Sequence, residues 1–480
     1  MARAAATLIG VDIGSTTTSA VVAEARLAET MLGGRVTLSE VRERLRTPLV
    51  FTPFDGGAVD EDGVLSLVDR WLAEAGVEPG ALFGGGALIT GLAARSPNAP
   101  ALAERLRDRL GRALVATARD PRMESWLAFM GNVADLSRRS PDLRFLNLDI
   151  GGGTANLALG AGGEVARTGC LALGARHVQV EPGTYRVVRL SEEARRIFDA
   201  LSMPVAPGEE LAPAAVSALL DVWISALERT ACGGTAALAA SPFGDLLVEA
   251  PLDWPVPGAG ERDGSPILVY SGGVGEMVHR LARGEDLPGT TPYGDLGVEL
   301  ARRIVGSSVL GAHLGRWTPE GGGRAVAYGL LRHATEVSGA TLHLPHPGVL
   351  PLRDLPILAS LSPGSGDADI GAAAALARRS GEGGCFEIVL PDSRAATVRS
   401  MAERLARALG DAPFPAERPL VLLVSRNVGK ALGACLTDWG RSVHRDGVVV
   451  LDEVRRPGAC FLHVGRLHGG VVPVSFHGMR

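Results

Sequence analysis

The amino-acid sequence predicts an α/β fold built from more than one domain. A chain of 480 residues is too long for a single compact core, which indicates two or three domains. Stretches with strand character alternate with stretches of helical periodicity along most of the chain. A strand, an aspartate and a glycine-rich turn occur together at residues 8–18 and again at 144–159. This internal repeat at long range predicts that part of the α/β fold is duplicated.

Composition and charge exclude several classes of protein. The chain is 46% hydrophobic and 21% charged, which is ordinary for a globular protein. Its net charge of −5 argues against a general nucleic-acid binder and against a binder of anionic membranes. No apolar run approaches the ~20 residues of a membrane span, and Asp12 interrupts the first apolar stretch, so we expect a cytoplasmic protein. Five widely spaced cysteines predict reduced thiols, neither a disulfide framework nor a metal site.

The first three quarters of the chain are expected to alternate strands and helices. Strands are predicted over 7–13, 18–25, 84–90, 112–118 and 144–159, the last as a hairpin, and helices over 62–76, 98–110, 122–136 and 208–232. Asn98 is a candidate cap for its helix, with Pro100 in the first turn. Further along, the pattern predicts a strand, a glycine turn and a helix over 265–282, a helix over 294–311 and short strands over 324–345.

The last part of the chain predicts a separate small unit. Residues 360–371 are rich in Pro, Gly and Asp, which is typical of a linker, and strand and helix alternate beyond them as a βαβαβ unit. The predicted domains are 1–140, 141–360 and 372–480. Lys430 is the only lysine among 48 basic residues and lies at a predicted strand-to-helix turn, where anions are favoured. It is either a leftover surface lysine or a contact for a phosphate or a partner.

Each copy of the repeat predicts a β-hairpin whose tip can hold a phosphate. Glycines let backbone N–H groups approach a ligand, and successive N–H groups form a concavity that binds anions. Two facing tips would clamp a polyphosphate from both sides. Asp12 and Asp149 end the first strands and suit a hydrated Mg²⁺, which uses few carboxylates. The predicted phosphate contacts are Gly14, Ser15, Thr16 and Thr17 in the first tip and Gly151, Gly152, Gly153 and Thr154 in the second.

A third glycine-rich segment, YSGGVGE at 270–276, runs from a strand into a helix. Its glycines suit the close approach of a flat nucleoside, and its carboxylate is available for ribose hydroxyls. The residues predicted to hold the nucleoside are Gly272, Gly273, Gly275 and Glu276.

In this order, the three segments resemble the phosphate and adenosine motifs of the actin, Hsp70 and sugar-kinase superfamily of ATPases. The resemblance implies a two-lobed actin-like fold with duplicated ribonuclease H-like lobes, and ATP and Mg²⁺ as cofactors. MESWLAFMG (123–131) resembles the connecting helix of the chaperones, which implies that Glu124 orients or deprotonates the attacking water. The alternative is that Glu124 is a solvated acid in a first helical turn. The chain lacks the catalytic lysine of the chaperones, so either an arginine substitutes or hydrolysis is slow and depends on Mg²⁺.

Across nearly its whole length the chain is similar to the reactivating factors of ethanolamine ammonia-lyase. The motifs that carry this resemblance include VDIGSTTT (11–18), MES (123–125), LNLDIGGGTANLAL (146–159), YSGGVGE (270–276), GKALG (429–433) and GGVVPVSF (469–476). It implies an ATPase that exchanges damaged cobalamin for intact adenosylcobalamin on that lyase, its protein partner. Homo-oligomerisation and association with a bacterial ethanolamine-utilisation microcompartment are left open.

The sequence also leaves other functions open. The chain could reactivate another cobalamin enzyme, such as diol dehydratase, or be a nucleotide-switched assembly protein of the same superfamily. A small-molecule kinase would need a catalytic aspartate, for which Asp295 is the nearest candidate. The activators of acyl-CoA dehydratases need a cluster held by cysteines, and the cysteine spacing here does not suit one. We expect Cys435, Cys460, His343 and His346 to be packing and loop residues.

Overall fold

The structure is a computed structural model. It describes residues 5–29, 36–55, 57–111, 113–117, 121–248, 265–317, 319, 322–339, 341–411, 413–441, 445–454 and 458–479. Three large sheets with their helices form the described part of the chain. No helix within these ranges is both long and apolar enough to cross a membrane.

The first sheet is formed by the N-terminal residues. Its region contains β1 (Ala5–Ile13), β2 (Thr17–Glu29), β3 (Val36–Arg46), β4 (Val50–Phe51), β5 (Phe54–Asp55), β6 (Ala58–Val59), α1 (Glu61–Glu74), β7 (Leu82–Ile89), α2 (Gly91–Ala94), α3 (Ala99–Leu110) and β8 (Leu114–Thr117). The strand order is β3-β2-β1-β7-β8, with β2 antiparallel and β7 parallel to β1. Helices α1 and α3 pack on this sheet and bury Trp71 and Leu106 in its core.

The second sheet repeats the pattern of the first. Its region contains α4 (Pro121–Asn132), α5 (Ala134–Arg139), β9 (Phe145–Ile150), β10 (Ala155–Ala161), β11 (Glu164–Leu171), β12 (Val178–Val180), β13 (Val187–Leu190), α6 (Glu192–Ala200), α7 (Pro213–Ala231), α8 (Thr235–Ala239), β14 (Ile267–Ser271), α9 (Gly272–Ala282) and α10 (Gly297–Gly306). The order is β11-β10-β9-β14, with β10 antiparallel and β14 parallel to β9. The first four strands of one sheet, β3-β2-β1-β7, thus correspond in order and direction to β11-β10-β9-β14 of the other. This shared topology confirms the predicted duplication and the two-lobed α/β fold.

Two helices connect the two sheets, α4 and α11 (Ala325–His333). They approach so closely that a Cβ on Gly131 would lie 1.9 Å from the carbonyl oxygen of Ala325, and a Cβ on Gly329 would lie 2.2 Å from that of Leu127. Only glycine permits this contact between backbones. The prediction of short strands over 324–345 is therefore wrong for most of the described segment, where only β15 (Thr335–Ser338) follows the helix.

The third sheet is formed mainly by the C-terminal residues. Besides β15, its region contains β16 (Leu352–Leu361), α12 (Asp367–Arg379), β17 (Gly384–Ile388), α13 (Ala395–Leu409), β18 (Leu420–Val424), α14 (Gly429–Leu436), β19 (Val448–Asp452), β20 (Ala459–Val464) and β21 (Val472–Met479). The strand order is β15-β21-β20-β16-β17-β18-β19. The four strands from β16 to β19 are parallel, as expected of a βαβαβ unit.

The segment predicted as a linker belongs to this third sheet. Residues 360–371 contain the end of β16, a turn and the start of α12, so they connect two elements that pack on each other. The sheet also includes β15 and β16, which precede the predicted boundary at residue 372. Pro, Gly and Asp mark a βα turn here, because such turns use the same residues as linkers. The division into three domains stays a prediction.

Helix caps follow the expected chemistry at two positions and not at a third. The Gly63 N–H donates to Asp60 Oδ1 at 3.0 Å, and the Ala194 N–H donates to Ser191 Oγ at 3.0 Å. Asn98 precedes α3 but its side chain makes no capping bond. It donates instead to the carbonyl oxygen of Val59 at 2.7 Å, so the prediction that Asn98 caps its helix is wrong.

Candidate active site

A cavity of about 270 Å³ lies between the first and second sheets. Both hairpin tips, the first turn of α9 and the start of α11 line it, so it joins parts of the chain that are far apart in sequence. Every predicted site residue except Gly275 faces it. Lining residues that the sequence patterns did not point to as ligand contacts include Leu49, Phe51, Thr90, Met277, Arg280 and Tyr293.

The first tip joins β1 to β2 and is held by hydroxyl groups. Its turn is closed by the Gly14 N–H, which donates to the Thr17 carbonyl at 2.9 Å. Thr52 Oγ1 donates to the Gly14 carbonyl at 2.8 Å, and Ser15 Oγ accepts from the Leu92 N–H at 2.7 Å. Two of the predicted phosphate contacts thus already have protein partners, and these bonds fix the shape of the turn.

Thr16 carries a hydroxyl of this tip that remains available. Its Oγ1 is buried and has no hydrogen-bond partner among the described residues. A buried hydroxyl without a partner is costly, so a ligand atom in the cavity is a natural partner for it.

The second tip joins β9 to β10 and touches the first. It is closed by the Gly151 N–H, which donates to the Thr154 carbonyl at 3.0 Å. A Cβ on Gly152 would lie 1.9 Å from Thr16 Oγ1, so only glycine allows the two tips to meet. The predicted arrangement of two facing tips is therefore present in the structure.

Two aspartates at the ends of the first strands approach each other across the cavity. Burial, together with the nearby charge of Asp149, raises the pKa of Asp12 to about 7, although a hydrogen bond from Thr90 opposes the shift. Burial also raises the pKa of Asp149 to about 6, against the effect of a hydrogen bond from Ser271. Both carboxylates are therefore short of positive charge and of hydrogen-bond donors.

A chain of polar side chains holds Asp149 from behind. Ser271 Oγ donates to Asp149 Oδ1 at 2.6 Å, Asn147 Nδ2 donates to Ser271 Oγ at 3.0 Å, and Asn132 Nδ2 donates to Asn147 Oδ1 at 2.8 Å. All of these side chains are buried. Sequence reasoning missed them, although a signal existed: Asn147 precedes Asp149 by two residues in a strand and thus points to the same face.

Glu124 lies in the first turn of α4 and faces the same cavity. Its side chain is only 8% exposed, so the alternative of a solvated helical acid is wrong. Burial, followed by the charges of Asp12 and Asp149, raises its pKa well above the usual range. A carboxyl group with a raised pKa accepts a proton more readily than an ordinary one, which suits a general base.

The start of α9 forms the other end of the cavity. Gly272 has φ of 79°, and a Cβ there would lie 2.6 Å from the Ile150 carbonyl oxygen, so this position needs glycine. Glu276 Oε2 accepts from the Gly323 N–H at 3.0 Å and thereby joins α9 to the segment before α11. Gly275 does not face the cavity; it packs on Tyr270, whose carbonyl carbon would be 3.1 Å from a Cβ.

The charge of the cavity indicates what it can bind. Of the described residues that line it, five are acidic and one is basic: Asp12, Glu124, Asp149, Glu276, Asp295 and Arg280. Such a cavity repels an isolated polyphosphate and accepts one together with a divalent cation. Among the described residues, no three acidic, histidine or cysteine side chains lie close enough to hold a metal ion directly. Asp12 and Asp149 suit a hydrated Mg²⁺, which uses few protein carboxylates.

Lys430 and His343 lie in the region of the third sheet and do not line the cavity. Lys430 is exposed in the first turn of α14. His343 packs on Gly433, whose Cβ would be 2.1 Å from its ring, and its backbone pairs with Val450. This agrees with the packing role expected of His343.

Comparison with known proteins relates the chain to one family. A family model described as ethanolamine utilisation protein EutA matches residues 5–479. The chain is 28% identical over 485 residues to the ethanolamine ammonia-lyase reactivase EutA of Escherichia coli K12, with 97% of each chain covered. It is 28% identical over 480 residues to the protein of the same name from Salmonella typhimurium LT2, again with 97% of each covered. A solved exopolyphosphatase from Cytophaga hutchinsonii shares 14% identity, with 68% of this chain and 87% of that chain covered and a TM-score of 0.32.

Proposed function

Because this chain belongs to the family of the ethanolamine utilisation protein EutA, we propose that it is an ATP-dependent reactivase of ethanolamine ammonia-lyase. In this proposal the protein binds the lyase whose cobalamin is damaged, and ATP with Mg²⁺ drives exchange for intact adenosylcobalamin. The names of the two bacterial relatives support the partner. A cytoplasmic location, alongside the lyase and any microcompartment that holds it, is part of the same proposal.

One observation carries the ATPase part of the proposal. Two glycine-rich tips from duplicated sheets meet over a cavity in which five of the six charged side chains among the described lining residues are acidic, and burial raises the pKa of Asp12 and Asp149. Buried acids that are not balanced by basic side chains cost stability, so a ligand that brings positive charge would explain their presence. Mg²⁺ bound with a nucleotide supplies that charge and neutralises the phosphates.

Each part of the cavity has a role in this proposal. Asp12 and Asp149 hold the waters of the cation, the backbone N–H groups of the two tips bind phosphate oxygens, and the first turn of α9 holds the nucleoside. Glu124 orients the attacking water and takes its proton, for which a raised pKa is favourable.

No basic side chain among the described residues that line the cavity lies on the same tip as Asp12, where one could replace the catalytic lysine of the chaperones. Arg280 is the one basic side chain among the described residues that line the cavity, and it lies on α9 at the nucleoside end. We therefore expect slow hydrolysis that depends on Mg²⁺. A slow ATPase suits a protein that must remain bound to a large partner while its two lobes change position.

The decisive experiment is cofactor exchange. Ethanolamine ammonia-lyase is inactivated with cyanocobalamin and then incubated with this protein, Mg²⁺ and adenosylcobalamin, with and without ATP, while deaminase activity is followed. We expect recovery only with ATP, no recovery with Asp12→Asn, and full recovery with Asp142→Asn, a matched change at an exposed aspartate. Equal recovery by Asp12→Asn would overturn the proposed mechanism.

A kinase of the same superfamily is the second candidate, because of Asp295. This residue lines the cavity and is only 3% exposed, and burial raises its pKa to about 6. A buried carboxylate of this kind could deprotonate the hydroxyl of a small substrate. Release of inorganic phosphate without any small-molecule acceptor favours the reactivase, whereas phosphate release that requires an acceptor favours the kinase.

A further inference from the structure

A short turn after β11, formed by residues 175–177, is hydrogen-bonded to the second tip. The Ala175 N–H donates to the Gly151 carbonyl at 3.1 Å, and the Arg176 N–H donates to the Gly152 carbonyl at 2.7 Å. The side chain of His177 reaches the third carbonyl, that of Gly153, at 2.8 Å from Nε2. Three consecutive carbonyl groups of the tip are thus held by three consecutive residues of the turn.

These three hydrogen bonds fix the direction of the N–H groups in the tip. In a trans peptide the carbonyl and the following N–H point in opposite directions. Carbonyls turned toward the 175–177 turn therefore turn the N–H groups of Gly152, Gly153 and Thr154 away from it, toward the cavity that these residues line. None of the three N–H groups donates in a hydrogen bond between described residues. They form a preorganised cradle for an anion.

Only the third of these bonds depends on a side chain. The Gly153 carbonyl can only accept, so Nε2 of His177 must carry a proton. Burial lowers the pKa of His177, which favours the neutral ring, and Nδ1 then accepts from Ser191 Oγ at 2.7 Å. Ser191 Oγ in turn accepts the Ala194 N–H at the start of α6. The tautomer and the orientation of the ring are therefore determined by the surrounding protein.

Resting on the proposed function, we propose that His177 is a positioning residue for nucleotide binding. Its Nε2–H holds the last peptide of the second tip so that the Thr154 N–H points at a phosphate oxygen. His177 itself does not touch the nucleotide and does not line the cavity. Neither the repeat nor the glycine pattern of the sequence identifies this residue, because it follows the tip of the hairpin by more than twenty positions.

The length of the side chain at position 177 offers a test of this proposal. His177→Gln places an amide N–H close to the position of Nε2, whereas His177→Asn carries the same amide on a shorter side chain that does not reach Gly153. Kd values for ATP in the presence of Mg²⁺, and for adenosine, are measured by calorimetry on the full-length chain. His279→Asn is the matched control, because His279 is buried in the same lobe and its Nε2 lies 2.9 Å from the Tyr270 carbonyl.

We expect His177→Asn to weaken ATP binding about tenfold, the effect of losing one well-oriented hydrogen bond to a charged group. Adenosine, which has no phosphate, should bind His177→Asn and wild type equally. His177→Gln should stay within about threefold of wild type for both ligands. His279→Asn should leave the ratio of the two Kd values unchanged.

Two outcomes would overturn the inference alone: unchanged ATP binding by His177→Asn, or an equal loss for ATP and adenosine, which indicates a general structural role. If His177→Asn does not fold, as judged by circular dichroism, His177→Phe fills the same space without a donor and answers the same question. Failure of the wild-type chain to bind ATP with Mg²⁺ would instead remove the proposed function on which the inference rests.

Discussion

Asp149 and Asp452 occupy similar positions in two different sheets and have opposite surroundings. Each lies at the end of a parallel-paired strand, and they are 7% and 0% exposed. Asp452 accepts hydrogen bonds from Ser338 Oγ at 3.1 Å, from the Thr341 N–H at 2.9 Å and from Thr341 Oγ1. Asp149 accepts one from Ser271 Oγ at 2.6 Å. A fold can therefore bury a carboxylate as a satisfied structural group or as a group that still needs a partner.

The difference in hydrogen bonding distinguishes a structural carboxylate from a functional one without reference to sequence motifs. Three donors around Asp452 tie β19 to the end of β15 and to the segment that follows it, so this carboxylate stabilises the third sheet. Burial with a single donor raises the pKa of Asp149 to about 6, so its charge costs free energy in the ligand-free protein. We infer that Asp149 contributes to ligand binding and Asp452 to folding, and substitutions can separate the two roles.

The largest expected effect is on nucleotide binding. Asp149→Asn removes half of the carboxylate pair that would hold the hydrated cation, so affinity for ATP in the presence of Mg²⁺ should fall by on the order of 100-fold. Asp452→Asn should leave that affinity unchanged in the folded protein, because Asp452 lies in another sheet. Calorimetric titration of both variants measures the contrast, and comparable losses in the two would mean that Asp149 has no special role.

Stability should respond in the reverse order. Asp452→Ala leaves Ser338 and Thr341 without their acceptor in a buried site, so the free energy of unfolding should fall by on the order of 3 kcal/mol. Asp149→Asn removes a buried charge and should stabilise the ligand-free protein instead. Chemical denaturation in the presence of a chelator compares the two variants with wild type. A loss of stability in Asp149→Asn would show that its carboxylate is already satisfied.

The gain from Asp149→Asn should depend on pH. The folded-state pKa of about 6 lies above the ordinary value of 3.8, so the folded state binds more protons than the unfolded state between these values. The contribution of Asp149 to wild-type stability should then fall as pH rises from about 4 to 6, by at most about 3 kcal/mol, and stay level above that. The difference between Asp149→Asn and wild type should be small at pH 4 and largest above pH 6. A constant difference across this range would contradict the raised pKa.

The sequence predicted the parts of this comparison that depend on local pattern. Strand, aspartate and glycine turn occur within one hairpin, so the two tips with Asp12 and Asp149 could be identified from neighbouring residues. Asp452 was not distinguished from other acids, because its donors come from Ser338 and Thr341, more than a hundred positions away. Burial of a carboxylate follows from tertiary packing, which one sequence does not display.

Helix α11 was not predicted, again because tertiary packing decides its structure. Its sequence contains Gly329, which disfavours a helix, and it is followed by β-branched residues, which favour a strand. In the folded protein Gly329 lies against the Leu127 carbonyl, where a Cβ would be 2.2 Å away, so contact with α4 favours the helix. Tertiary packing overrides the weak local preference.

The smallest expected effect concerns the serines behind the two aspartates. Ser271→Ala removes the donor to Asp149 and leaves Asn147 Nδ2 without its acceptor, so affinity for ATP with Mg²⁺ should fall about tenfold while the coordinating carboxylate remains. Ser338→Ala removes an equivalent donor to Asp452, and also the acceptor of the Asp452 N–H, so it should lower stability by about 1–2 kcal/mol and leave affinity unchanged. Titration and denaturation of both variants complete the contrast. If Ser271→Ala changes stability alone, then the polar chain behind Asp149 serves the fold, and the distinction between the two aspartates lies in the carboxylates themselves rather than in what supports them.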